Sequence, residues 1–323
     1  MEPLVSIIIP TYNRVNFIEK VVLSASRQNY KNLEILVVDY NSDDGTKELV
    51  LKLANKDSRI KYLNSPNKGP SCQRSFGVLN CNGEYVQFID SDDYVSNEFT
   101  NFPVKLAIKN SADLVIFSYT SSRDFEVSNF SDVLHGNELK KKVNHLYKAN
   151  FGLACWRKLI KKSLAIEVCK RYYNSYFKIY EDSVFSYGVY SLASKVVLNE
   201  SKLYFYNQES DNNRCSSFEN LISDYVSCID TTAVLDKILI ENGANHRQSG
   251  NFLFEIFIKI LFKNLSASYH EYKKAFLKYY QKPYFSKLEV FKNNYCKSEK
   301  LLMLFVKHKL VRLSFLIAKH IKS

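Results

Sequence analysis

Residues 84 to 95 read EYVQFIDSDDYV and place Asp90, Asp92 and Asp93 within four positions at the end of an apolar run. The chain carries a formal net charge of +12, so this crowding is not a by-product of acidic composition. Two like charges ~4 Å apart cost several kcal/mol at the intermediate dielectric of a cleft. A divalent cation with oxygen ligands would remove that repulsion. Mg2+ commonly takes one or two protein carboxylates and fills its other positions from substrate phosphates and water. Few histidines lie near the cluster, so Mg2+ or Mn2+ suits it better than zinc. Two further acidic features stand out, Asp39 closing LEILVVD and the pair Glu181 and Asp182 in YEDSVF. Turns and helix starts also collect acidic residues, so position decides what such groups do.

The elements that must position them read as follows. VSIII (Val5 to Ile9), LEILVVD (Leu33 to Asp39), IKYL (Ile60 to Leu63), YVQFID (Tyr85 to Asp90) and LVIFSY (Leu114 to Tyr119) are short apolar runs bounded by turn residues, which predicts strands. Helical spacing intervenes: Phe17, Val21 and Ala25 share one face, as do Leu49, Leu53 and Lys56. Ser42 and Asp43 stand where an N-cap is wanted, and Asn97 could start a helix through Phe102 and Leu106. Doubly apolar strands alternating with helices predict an α/β fold, a mostly parallel sheet covered on both faces. In such sheets ligands bind beyond the carboxyl ends of the strands, where Asp39 and the Asp90 cluster stand.

After residue 120 the pattern loosens. FGLACWRKLIKKSL and the stretch from Tyr172 to Leu198 read as helices or irregular segments, and SKLYFYNQ as a strand. From 217 onward the chain reads as helical. The expected organisation is a domain over 1–216, with halves of about 1–120 and 121–216, followed by a helical region over 217–323. Hydrophobic residues make up 46% of the chain and charged residues 24%, enough for a packed core. The 6 prolines and 9 glycines argue against long disordered stretches. No apolar run reaches the ~18 residues of a membrane-spanning helix. MEPLVSIIIPTYN lacks the basic start and cleavage site of a leader and reads as a core strand. The 7 cysteines form no CxxC pair, which suits reduced thiols in a cytoplasmic protein.

VSIIIPTYNR, ILVVDYNSDDGT, NKGPSCQRSFGVLNCNGEYVQFIDSDD and YEDSVF, in that order, resemble the bacterial glycosyltransferases of family 2, which have the GT-A fold. The match is close over about the first 95 residues and extends to about 185. The resemblance implies a nucleotide-diphosphate sugar donor, a UDP-sugar by preference, with Mn2+ or Mg2+ as cofactor. Pro10, Thr11 and Tyr12 would pass the base and ribose, and Asp39 begins the segment that contacts the nucleoside. Asp90, Ser91 and Asp92 form the Asp-X-Asp motif, whose last Asp binds the metal bridging the diphosphate. Arg74 falls where the family carries an arginine before the fourth strand. Asp182, preceded by Glu181, falls at the general base of inverting members. Arg214, in a loop resembling the family's basic serine-containing loop, would assist the leaving diphosphate. One departure stands out: Tyr40 occupies the position of a base-binding Asp. Tyr40 can stack on a pyrimidine but offers no carboxylate to an imide N–H, a role left to Asp39 or Asp43. Trp156 and His135 read as packing residues.

Family members of this type extend glycans, often on polyprenyl-diphosphate lipids, which implies a role in a bacterial surface polysaccharide such as O-antigen or capsule. In LLMLFVKHKLVRLSFLIAKHIK the apolar residues Leu302, Phe305, Val306, Leu310, Leu313 and Ile317 recur at helical spacing among basic residues. Such a helix suits peripheral contact with the inner face of an anionic cell membrane, or packing on the protein with a solvated face. The aromatic tail could also pair with itself in a homo-oligomer. Two other functions suit parts of the sequence less well. A nucleotidyltransferase would want a Gly- and basic-rich phosphate loop after the first strand, and PTYNRVNF is not one. A nucleic-acid-binding module could use the basic aromatic C-terminal half, but apolar periodicity accounts for that half more simply, and no nucleic-acid partner is expected.

Overall fold

The computed structural model describes residues 2–122, 124–136, 138, 153–173, 176–177 and 181–208, with isolated helical positions between 231 and 241. The chain divides into two compact units, Met1–Cys215 and Ser216–Ser323. The first contains, in order, β1 (Val5–Thr11), α1 (Val15–Ser26), β2 (Leu33–Asp39), α2 (Thr46–Ala54), β3 (Ile60–Asn64), α3 (Pro70–Asn80), β4 (Tyr85–Phe88), β5 (Tyr94–Val95), α4 (Asn101–Asn110), β6 (Leu114–Thr120) and β7 (Ser131–His135). A 3-10 turn at Cys155–Arg157 leads into β8 (Lys158–Lys161), α5 (Lys162–Arg171), α6 (Glu181–Leu192) and β9 (Lys195–Phe205).

These strands form one sheet in the order β3-β2-β1-β4-β8-β6-β9-β5, with β7 added on β9. Strands β1 to β4 are parallel, as alternation with helices requires. Every residue of β1 and β2 is buried, which explains their near-continuous apolar sequence. Beyond β4 the sheet is mixed: β8 runs antiparallel between β4 and β6, β6 and β9 are parallel, and β5 and β7 run antiparallel on β9. Strand β8 falls where sequence pattern predicts helix or irregular chain, β7 lies in a stretch given no element, and β9 starts well before SKLYFYNQ. They pair with partners distant in the chain, a constraint local pattern does not carry.

Register sets the working edge. Thr11 is level with Asp39, Ile8 with Phe88, and the Ile89 amide donates to the Ile8 carbonyl, so β1, β2 and β4 finish side by side. Helix α3, unmarked by sequence pattern, lies close over this edge. A Cβ at Gly77 would come within 2.6 Å of Ile8 Cγ2, so only glycine permits that approach. Helix α1 buries Ile18, Val21, Val22 and Ala25 and leaves the expected Phe17 exposed. Helix α2 buries Val50 and Leu53, and Lys56 lies past its end. Its N-cap is Gly45, not Ser42 or Asp43. Ser42 instead accepts from the Asn13 amide, joining the loops after β1 and β2. Helix α4 is entered from Thr100, not Asn97.

One buried charge organises this region and escaped sequence reasoning. Glu34, the second residue of β2, accepts from Ser6 Oγ at 2.6 Å, Lys61 Nζ at 2.8 Å and the Asn82 and Gly83 amides. It therefore ties β1, β2 and β3 to the turn that launches β4. Burial opposes its charge, but the Lys61 and Ser6 bonds and the Asn82 donors prevail and hold its carboxyl down at about 2.

Candidate active site

A cleft of ≈ 420 Å³ opens at the carboxyl ends of β1 and β4. Pro10, Thr11 and Tyr12 line it from β1, Asp90, Ser91 and Asp92 from the loop after β4, Arg74 from α3, and Glu181 and Asp182 from the start of α6. The structure thus brings together most of the residues singled out above. Asn13, Arg14, Lys68, Gly69, Pro70, Gln73 and Tyr176 complete the wall and went unmentioned in the sequence reading. Lys68 and Gly69 sit in NKGP, a Gly-Pro punctuation that marks a turn before a helix. Gly69 has φ +103°, and a Cβ there would run into the Tyr176 ring. Arg214 lies outside the described residues, as do the tail residues from Leu302 to Ile317.

The three carboxylates of DSDD have separate fates. Asp90 Oδ1 accepts from Arg74 Nη2 at 2.7 Å. Asp93 turns away from the cleft: Tyr204 Oη donates to its Oδ2 at 2.6 Å and the Asn207 amide to its Oδ1 at 2.8 Å. Burial, with the Asp90 charge beside it, pushes the Asp93 carboxyl up to about 8. Asp92 remains half-buried at the cleft, its carboxylate without a hydrogen-bond or ion-pair partner among the described residues. Arg74 thus supplies a positive charge beside Asp90, Asp93 lies apart with two neutral donors, and Asp92 is the carboxylate left at the cleft.

Arg74 carries more than this one pair. Its side chain is 3% exposed, and Nη1 donates to Asp182 Oδ1 at 2.8 Å and approaches Glu181 Oε1 at 3.5 Å. Burial works against its charge, but Asp182 and Asp90 hold the guanidinium pKa well above its ordinary value. Burial raises Asp90, with Arg74 opposing. Burial and the Asp182 charge push Glu181 up to about 7, again against Arg74. As acidic residues in the first turn, Glu181 and Asp182 also complement the α6 dipole.

Asp39 and Tyr40 stand apart from the cleft lining. Asp39 is fully buried and accepts from the Ser42 amide and hydroxyl and from Tyr62 Oη at 2.8 Å, so its carboxylate shapes the β2–α2 loop. Burial and that bond raise the Tyr62 hydroxyl pKa. Asp43 is exposed. The Tyr40 ring lies 5.9 Å from that of Tyr12, which is 40% exposed at the cleft with Lys68 Nζ 5.0 Å from its centroid. Gln73 donates to the Thr11 and Val38 carbonyls and fixes both strand ends. Trp156 is core, sandwiched between Tyr204 (4.2 Å) and Tyr206 (5.8 Å), and His135 is exposed on β7.

Among the described residues no group of three or more His, Cys, Asp or Glu is poised to hold a metal. The cleft still fits an ion that takes most ligands from its substrate, since Asp92 offers one carboxylate with no partner among the described residues. Thr11 Oγ1 and Arg74 Nε, on two residues of the wall, are buried without a partner among the described residues, which suits a polar occupant. No helix among the described residues is long and apolar enough to cross a membrane.

Comparison with known proteins bears on what this geometry serves. Glycosyltransferase GlyA of Streptococcus pneumoniae is 31% identical over 214 residues, 62% of this chain and 30% of its own length. A Campylobacter jejuni GalNAc(5)-diNAcBac-PP-undecaprenol beta-1,3-glucosyltransferase is 43% identical over 93 residues, 28% of this chain and 30% of its own. The chain thus matches less than a third of either relative. S. aureus TarS 1-349 in complex with UDP-GlcNAc superposes with a TM-score of 0.64 at 18% identity, over 99% of this chain and 91% of that one, and so shares the GT-A fold. The Glycosyl transferase family 2 model matches residues 6–168, half of the chain, and the chain belongs to that family.

Proposed function

We propose that this chain is an inverting glycosyltransferase that moves a sugar from a UDP-sugar to a glycan acceptor, using Mn2+ or Mg2+. The observation that carries the reading is the cleft itself. At one sheet edge it gathers Asp92, a carboxylate with no partner among the described residues, and a second acid on a different element, Asp182. Asp92 would hold the ion, which when bound neutralises the diphosphate leaving group. Tyr12 and Tyr40 offer aromatic surface to the base, and exposed Lys68 offers a cation to the anionic donor. Asp182 would take the proton from the acceptor hydroxyl as it attacks. Direct displacement inverts the anomeric centre, so an α-linked donor gives a β-glycoside.

TarS, with its UDP-GlcNAc, supports the choice of nucleotide. The Campylobacter relative, named for an undecaprenol-linked acceptor, supports a lipid-linked glycan acceptor; a place in surface-polysaccharide synthesis at the inner face of the membrane is part of the same proposal. Family membership favours sugar transfer over nucleotidyl transfer. The test is turnover of a panel of nucleotide sugars with Mn2+ and with EDTA, beside Asp92→Asn and Asp182→Asn. Turnover that survives EDTA and both substitutions would remove the basis for this mechanism.

A further inference from the structure

The Arg74 side chain is buried, and its two terminal nitrogens are committed to carboxylates on two other elements. Nη2 reaches Asp90 after β4, and Nη1 reaches Asp182 at the start of α6. Its own position is fixed independently. Gln73, one residue earlier, grips the Thr11 and Val38 carbonyls, and Gly77, one turn later, sits against Ile8. Three carboxylates, Asp90, Glu181 and Asp182, surround this single guanidinium. Their combined charge leaves it little attraction for a phosphate. Lys68, exposed on the same wall, forms no salt bridge among the described residues and is better placed to meet an anionic donor.

We infer that Arg74 is a positioning residue that acts on the acceptor's proton through Asp182, and not a ligand of the donor's diphosphate. This rests on the function proposed above and deepens it. By holding Oδ1, the guanidinium fixes the plane of the Asp182 carboxylate at the cleft wall. The same planar group ties the base to the loop that carries Asp92. Lysine keeps the charge but presents a single point on a flexible stem, so it cannot bridge Asp90 and Asp182 in this way.

The experiment measures two quantities on the full chain: the dissociation constant for UDP in the presence of Mn2+, and turnover of a UDP-sugar hydrolysed by the wild type. Arg74→Lys should bind UDP within about threefold of wild type while turnover falls at least about 100-fold, the scale of a displaced general base. In an Asp182→Asn background the same substitution should lower turnover by less than about threefold, because residues acting as a unit are not additive. Thermal melting confirms that the variants are folded, and the cycle repeated with Arg74→Gln, which keeps a planar end group, gives an independent reading. UDP binding weakened about tenfold or more by Arg74→Lys would make Arg74 a donor ligand and overturn the inference. So would full additivity with Asp182→Asn, the mark of a general structural role. A wild-type chain that bound no UDP would instead overturn the donor reading itself.

Discussion

Glutamine at position 34 is nearly isosteric with glutamate but cannot carry its charge. Glu34 sits in β2 with its side chain 4% exposed, bound by Ser6 Oγ, Lys61 Nζ and two backbone amides. Its carboxyl is held at about 2 against an ordinary 4.5, net of the burial that opposes the charge. That gap of about 2.5 units at 1.36 kcal/mol each makes the ionised form worth about 3 kcal/mol to the fold. The folded pKa is the lower one, so the contribution is complete above the unfolded pKa and disappears as pH falls through the folded one. Linkage gives about 3 kcal/mol at pH 7, less than half of that at pH 3 and little below pH 2. Urea denaturation of wild type and Glu34→Gln, followed by far-UV circular dichroism, reads the difference directly. The variant should unfold about 3 kcal/mol more easily at pH 7, with the gap narrowing by half or more at pH 3. A gap below about 0.5 kcal/mol at pH 7, the size of an ordinary surface substitution, would refute the account. A gap that ignored pH would refute its electrostatic part.

Asp92→Asn should leave urea stability within about 0.5 kcal/mol, because the side chain has no partner to lose among the described residues, yet abolish any Mn2+ dependence of UDP binding seen by titration. Gly69→Ala should destabilise by about 1–3 kcal/mol, since φ +103° and the Tyr176 ring both exclude a Cβ, and donor KM should rise as that wall shifts. Lys158, fully buried with Nζ donating to the Ala154 carbonyl at 2.6 Å, is pushed down to about 7, chiefly by burial. A lysine with a depressed folded pKa costs stability as pH falls from its unfolded value toward 7. Lys158→Met should therefore raise stability at pH 6 by up to about 5 kcal/mol, seen as a higher melting temperature, with the advantage fading toward pH 10. Tyr12→Ala with Tyr40→Ala should weaken UDP binding about tenfold, a few tenths to about 1 kcal/mol per ring lost.

Much of the parallel half was legible because its signals are local. The runs from Val5, Leu33 and Tyr85 are apolar on both faces, and only strands covered by helices on both sides read that way. That pattern also placed Pro10, Asp39 and Asp90 at strand ends, and the ordered motifs pointed to the family. Less legible were elements whose reason to exist lies elsewhere in the chain. β8 is a strand because β4 and β6 offer it edges, and α3 packs where Gly77 lets it approach β1.

The sequence by itself determined which acids gather at the carboxyl edge, since strand length and turn chemistry are written in neighbouring residues. It could not say which of them face a ligand. That was decided by Arg74, Tyr204 and Ser42, which lie 16, 111 and 3 residues from the acids they engage. Folding alone brings the two distant ones into reach. Packing then commits Asp90 to a guanidinium, Asp93 to a phenol and Asp39 to its own loop, and leaves Asp92 at the cleft, because a buried carboxylate takes whatever donor the tertiary fold supplies.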